Sequence, residues 1–229
     1  MRRGSASAAS SRSARLPLVA LLVVALSGSA LLGLLAVGAP SGGHQVAHPP
    51  GLRAGDLPQG LEGTPAPRIR LPDARGGTID TSTFRGRPYL VTFLYSTCPD
   101  VCPLIADELR AAIDGLGARR NHVAAVAVSV DPRGDTRANV RAFLRRHRLP
   151  RNFHYAIGTR GALAPVWQDY YAAPQISGRP ETSSHTAAVW LVDARGRLRG
   201  LYSAGAPIAP RDVTHDLAAL LDEAASDAG

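Results

Sequence analysis

Two apolar, β-type runs bracket a single amphipathic helix pattern, and that unit restricts the fold of this chain more than any other feature. The first run is Tyr89-Leu90-Val91-Thr92-Phe93-Leu94-Tyr95, and the second extends from Val123 to Val130. Between them Ile105, Leu109, Ala112, Ile113 and Leu116 recur at helical spacing, and Gly117 marks the stop. Strands joined by a helical crossover lie parallel. The β-branched second run suits a central strand covered on both faces.

The rest of the chain extends this pattern. Ile69 to Thr78, with Gly76-Gly77 at its turn, reads as a short hairpin. Asp135 or Thr136 caps a helix with Val140, Phe143 and Leu144 inward, and Pro150 closes it. Thr159 caps another, carrying Leu163, Val166, Trp167 and Tyr170. Ala187 to Val192 and Leu198 to Ser203 form a hairpin through Asp193-Ala194-Arg195-Gly196, and Val213, Leu217, Leu220 and Leu221 mark a final helix. The expected order is β, α, β, α, α, β, β, α. That is a thioredoxin-like α/β domain, with a mixed central sheet flanked by helices, over residues 64–225.

The chain has two cysteines, and both sit where the first strand gives way to the helix, in Cys98-Pro99-Asp100-Val101-Cys102-Pro103. Open α/β sheets place their ligand sites at this end of a strand. Each cysteine precedes a proline, which disfavours the helical conformation. Pro103 suits a first helical position, so Cys102 is expected at the N-cap, outside the regular helix, as a thiolate favoured by the helix dipole. A structural disulfide here would close a very short loop and remove little chain entropy. A redox pair or a metal site is the better reading.

The N-terminus sets the compartment. The first 39 residues contain no acid, Arg2, Arg3, Arg12 and Arg15 precede a charge-free stretch, and that stretch runs from Leu16 to Ala39. As a helix it would extend about 36 Å, enough for a hydrocarbon core of about 30 Å. Residues 1–15 are therefore expected as a cytoplasmic basic segment. Residues 16–39 are expected as a single-pass signal anchor in the cell membrane, with cleavage after Ala39 as the alternative. Residues 40–63, rich in Pro and Gly, read as a linker. The C-terminal domain is then extracytoplasmic, where thiols oxidise unless kept reduced.

Of the net charge of +8, four positive charges flank the anchor, leaving 22 − 18 = +4 for the remainder. All the basic side chains are arginine. They alternate with acids and lack an aromatic platform, which argues against nucleic acid as a partner.

Two thiolates leave most metal sites incomplete, and seven histidines could supply a third ligand. His44 and His48 lie in the linker. His122 and His147 sit at arginine-rich helix ends and are expected in solvent, His154 lies in a strand-like stretch, and His215 is on the polar side of the last helix. His185 precedes the strand from Ala187 and follows the Pro/Gly-rich loop Ala173 to Pro180. Spacing alone leaves it open between a structural histidine and a ligand. Two thiolates and an imidazole are a soft set that favours Cu(I), whereas a closed zinc site wants a fourth ligand.

Three segments carry a resemblance. Phe93-x-Tyr95-Ser96-x-Cys98-Pro99-Asp100-Val101-Cys102-Pro103, Val128-Ser129-Val130-Asp131-Pro132-x-x-Asp135-Thr136 and His185-Thr186 resemble the signatures of the Sco (SenC) family, in order, over about Thr64 to Glu223. These are membrane-anchored, thioredoxin-like copper proteins that help assemble the dinuclear copper centre of cytochrome c oxidase. The resemblance implies copper, as Cu(I) and secondarily Cu(II), on Cys98, Cys102 and His185. Its partners are then a copper donor protein, the copper-site subunit of the oxidase and the membrane through residues 16–39. The alternative it implies is an extracytoplasmic thiol–disulfide oxidoreductase that uses the redox-active pair Cys98 and Cys102 to reduce the cysteines of the oxidase copper site.

The chain departs from the family at Ser184, where Asp usually precedes the histidine and would orient its ring. Leu94 replaces a glycine, a change expected to affect packing rather than ligation. Asp131 and Asp135 match the family's acidic pair and are expected to form a turn and a helix cap. A peroxidase of related fold fits poorly: Thr97 abuts Cys98, but no Pro-x-x-x-Thr-x-x-Cys arrangement is present.

Overall fold

The first apolar run forms the central strand of a five-stranded sheet and is buried along its whole length. The computed structural model describes residues 51–55, 57–174, 188–203 and 208–227. The anchor stretch 16–39, His44, His48, Ser184 and His185 lie outside them. Among the described residues no helix is long and apolar enough to cross a membrane.

A hairpin, β1 (Arg70–Pro72) and β2 (Thr78–Asp80), turns through Gly76 and Gly77, both at positive φ, where glycine avoids a side-chain penalty. There follow β3 (Tyr89–Leu94), α1 (Val101–Gly115), β4 (Ala124–Ser129), α2 (Arg137–Arg146), β5 (Phe153–Ala156), α3 (Arg160–Asp169), β6 (Val189–Val192), β7 (Leu198–Tyr202) and α4 (Pro210–Asp227). The five-stranded sheet has the order β5-β4-β3-β6-β7. β3, β4 and β5 are parallel, whereas β6 and β7 are antiparallel additions. Leu90, Leu94, Ala125, Tyr155 and Leu191 pack on one face with α1, α2 and α4. Val91, Phe93, Val126 and Trp190 pack on the other with α3 and the hairpin. Leu94, in place of the family's glycine, is fully buried in the first of these layers.

This is the expected mixed thioredoxin-like sheet, with one element more. The expected order omits β5, although the stretch around His154 reads as strand-like, because its four residues make no apolar run long enough to stand as an element. It is a strand because β4 offers it a parallel edge, and its Phe153 and Tyr155 are fully buried. Thr136 and Thr159 cap α2 and α3 by accepting from Asn139 N and Ala162 N. His147, expected in solvent, has a side chain only 10% exposed, because it stacks on Phe143 and its Nδ1 lies 3.2 Å from Asp107.

Residues 51–55 and 57–63, counted above with the linker, run beside β7. Leu52 and Ala54 are buried. Gly55 bridges Leu201, Gly63 N donates to Leu198 O, and Ala66 N donates to Gly196 O. Asp216, with no solvent exposure, holds the start of this run: its carboxylate accepts from Arg53 N and Ala54 N at 2.8 Å and from Tyr202 Oη at 2.5 Å. Asp216→Ala would strand three donors without their acceptor. We expect it to destabilise the domain by about 3 kcal/mol or more in urea unfolding, with Asp216→Asn milder because one amide oxygen remains.

Candidate metal centre

β3 ends at Leu94, and the chain turns at once, with Cys98 N donating to Tyr95 O at 3.2 Å. The helix then begins earlier than the prolines suggested. Its N-cap is Asp100, whose side chain makes no capping bond, and Cys102 lies inside the first turn. The expectation that Cys102 is the N-cap, and that neither cysteine enters a regular helix, is overturned. Pro103 is the third helical residue, where its missing N–H leaves no bond unmade and the carbonyl four residues back precedes the helix.

The cap is a sulfur. Cys102 N donates to Cys98 Sγ at 3.5 Å, and Asp100 N also donates to that sulfur. Helix amides and the dipole's positive end both favour an anion there. Cys98 is therefore the thiolate: its pKa falls from 9.0 to about 5. The hydrogen bond from the Cys102 thiol is the largest cause, followed among the stabilising contacts by these amides and the Tyr95 hydroxyl. Cys102 moves the opposite way, held neutral by donating to the Cys98 thiolate and by burial. Tyr95 is raised by burial and by the same thiolate. Both cysteines are free of a disulfide, with Cys98 8% and Cys102 2% exposed.

Asp135 braces the turn from below. It is 4% exposed and accepts from Ser96 N at 2.6 Å, Ser129 Oγ at 2.6 Å and Tyr155 Oη at 3.1 Å. It does not cap α2, as expected of it, because Thr136 does. Burial pushes its pKa up, and those three donors oppose the rise. Asp131 forms the expected turn, accepting from Arg133 N and Gly134 N. A Cβ at Gly134 would fall inside the Asp131 carboxylate and 3.4 Å from Thr97 Oγ1. Gly134 thus lets this loop close on the residue before Cys98, a role with no motif to announce it.

The histidines sort themselves by partner. His122 is exposed, His147 meets Asp107, His154 meets Asp73 at 2.9 Å, and His215 meets Asp216 at 2.9 Å. Among the described residues no third His, Cys, Asp or Glu joins the cysteine pair. β6 runs antiparallel to β3, and its first residue, Val189, pairs with Thr92. Its amino end, four residues after His185 in the chain, therefore lies at the end of β3 that leads into Cys98.

The thiolate has a pH signature. Iodoacetamide should modify Cys98 in the reduced protein with a midpoint near about 5, and Cys98→Ser should leave Cys102 unreactive until alkaline pH. Because the folded pKa is depressed, the stabilisation is complete above the unfolded value of 9.0 and is lost as the pH falls towards about 5. Removing Cys98 should flatten that part of the stability–pH curve.

Comparison with known proteins bears on the same segment. The model of the SCO1/SenC family matches residues 64–222. A protein of Stutzerimonas stutzeri, provisionally named as copper-binding, is 30% identical over 142 residues, covering 58% of this chain and 67% of that protein. Protein SenC of Rhodobacter capsulatus is 43% identical over 61 residues, 27% of this chain and 28% of its own length. In structure the chain is similar to Bradyrhizobium japonicum ScoI with copper bound, with TM-score 0.60 and 25% identity, over 69% of this chain and all of that one. With the family match running through both the sulfur-capped helix and the Asp135 brace, the chain belongs to the SCO1/SenC family.

Proposed function

We propose that this protein is a membrane-anchored copper metallochaperone that carries copper on Cys98, Cys102 and His185 and assists assembly of the dinuclear copper centre of cytochrome c oxidase. One observation carries the reading: two free, buried thiols share a helix N-terminus, and the Cys102 amide there donates to Cys98 Sγ, which lowers the pKa of that thiol. A thiolate ligand is the form that binds a metal, and the pair's softness matches Cu(I). The copper-bound structure of Bradyrhizobium japonicum ScoI and the copper-binding name of the Stutzerimonas stutzeri protein support it. His185 completes the set by its place just before β6. Residues 16–39 hold the domain at the extracytoplasmic face of the cell membrane, within reach of a copper donor protein and of the oxidase subunit that receives the ion.

The ionised Cys98 beside a protonated Cys102 also favours a second reading, thiol–disulfide exchange. Cys98 S⁻ attacks a substrate disulfide and expels one substrate thiolate. Cys102, on losing its proton, then attacks Cys98 Sγ and releases the second, leaving a Cys98–Cys102 disulfide and a reduced substrate. Each turnover needs an external dithiol reductant to restore the pair.

Anaerobic Cu(I) titration separates the two. The wild type should retain one copper per chain after desalting, Cys98→Ser and Cys102→Ser none, and His185→Ala should bind at least tenfold more weakly. Retention unchanged in His185→Ala would remove that residue from the site. No retention by wild type, with reduction of an oxidised dithiol peptide intact, would leave the oxidoreductase reading alone.

A further inference from the structure

The arginines are not spread evenly over the fold. The loops leading into β3, β4 and β5 meet at the amino-terminal end of the sheet, opposite the cysteines. Hydrogen bonds stitch these loops together: Ala124 N to Pro88 O, Ala125 N to Asn152 O, and Asn152 Nδ2 to Arg120 O and Val123 O. On this rim Arg85, Arg145, Arg146, Arg148 and Arg151 are exposed and, among the described residues, have no acidic partner. Asp193, the buried acid at the same end, is taken by Arg197 and Arg199. The cysteine end is mixed in sign. Among the described residues Asp100 and Asp131 lack a basic partner there and Arg133 and Arg160 lack an acidic one, so unpaired arginines outnumber unpaired acids only at the opposite rim. A composition rich in arginine explains the number of these side chains but not their segregation.

We propose that this rim is a docking surface for anionic lipid headgroups, which turns the cysteine end away from the bilayer and towards soluble or protruding partners. The proposal rests on the membrane-anchor reading. Twelve residues separate Ala39 from the docked Leu52, a reach of about 40 Å at full extension. The strands between the two ends of the sheet rise only about 20 Å, so the tether permits this orientation. Phosphate headgroups match guanidinium forks, and among the described residues the exposed large apolar side chains, Leu104 and Tyr171, lie off this rim, so it offers no platform for stacked bases.

The test uses the full chain in vesicles. Energy transfer from Trp167 and Trp190, the two tryptophans of the chain, to dansyl-headgroup lipid reports how closely the domain lies on the surface. Transfer should be higher with phosphatidylglycerol present than with phosphatidylcholine alone, and the difference should vanish in about 1 M salt, where the screening length is about 3 Å. Arg145→Gln with Arg146→Gln and Arg151→Gln should abolish it, since each arginine near an anionic surface is worth about fivefold in binding. Arg160→Gln with Arg211→Gln, elsewhere on the domain, should preserve it. Equal transfer in both lipids, or an equal loss in the second variant, would overturn the proposal. So would retention on DNA but not on anionic vesicles. Extraction by alkaline carbonate tests the anchor separately. If the chain is extracted, salt-sensitive co-sedimentation with phosphatidylglycerol vesicles decides the docking on its own.

Discussion

The interaction between a sulfur and the opening turn of α1 organises the rest of the site. A helix start presents amides with no partner, and the usual remedy is an oxygen on the N-cap side chain. Here Asp100 makes no such bond, and Cys98 Sγ takes the Cys102 amide. The exchange is mutual: the helix gains an acceptor, and the sulfur gains a field that keeps it ionised. It also breaks the equivalence of the pair. The Cys98 thiol is made the more acidic of the two, and Cys102 is held neutral by donating to it.

That arrangement depends on a short turn staying shut. Asp135 gathers donors from the ends of β3 and β4 and from β5, and its bond to Ser96 N lies two residues before Cys98. Trp167 Nε1 donates to Ser129 O, tying α3 to the same junction from the other face of the sheet. The thiols are thus mounted on three parallel strands at once. The remaining proposed ligand, His185, comes from a different part of the chain, just ahead of an antiparallel strand.

Much of this was legible in the chain. Periodicity placed β3, α1 and β4, and the hydroxyls of Thr136 and Thr159 marked two helix starts that the structure retains. What escaped was set by tertiary contact. β5 is too short to show a period and exists because β4 has an edge to fill. The proline rule is local, so it could not weigh the bonds that draw Cys102 into the first turn. Asp135 looks like a cap from its position, and only the convergence of Ser96, Ser129 and Tyr155 gives it another task. Gly134 matters through the space it leaves, which no residue pattern encodes. Leu52 and Ala54 are two small apolar signals inside a Pro/Gly-rich stretch, and their burial follows from a groove beside β7.

The chain segment beside β7 has a further meaning when set against the opposite side of the sheet. There the β1–β2 hairpin closes over β5, with Ala74 N donating to Tyr155 O, Ile157 N to Pro72 O, and Asp73 bridging Ala156. On the β7 side Gly55, Gly63 and Ala66 perform the same task. Both outer strands of the five-stranded sheet thereby have main-chain partners from within the molecule. An open strand invites another chain to add to it. Copies of this domain can therefore crowd together without zipping sheet to sheet, and the thiol pair is not drawn into a polymer of its own kind.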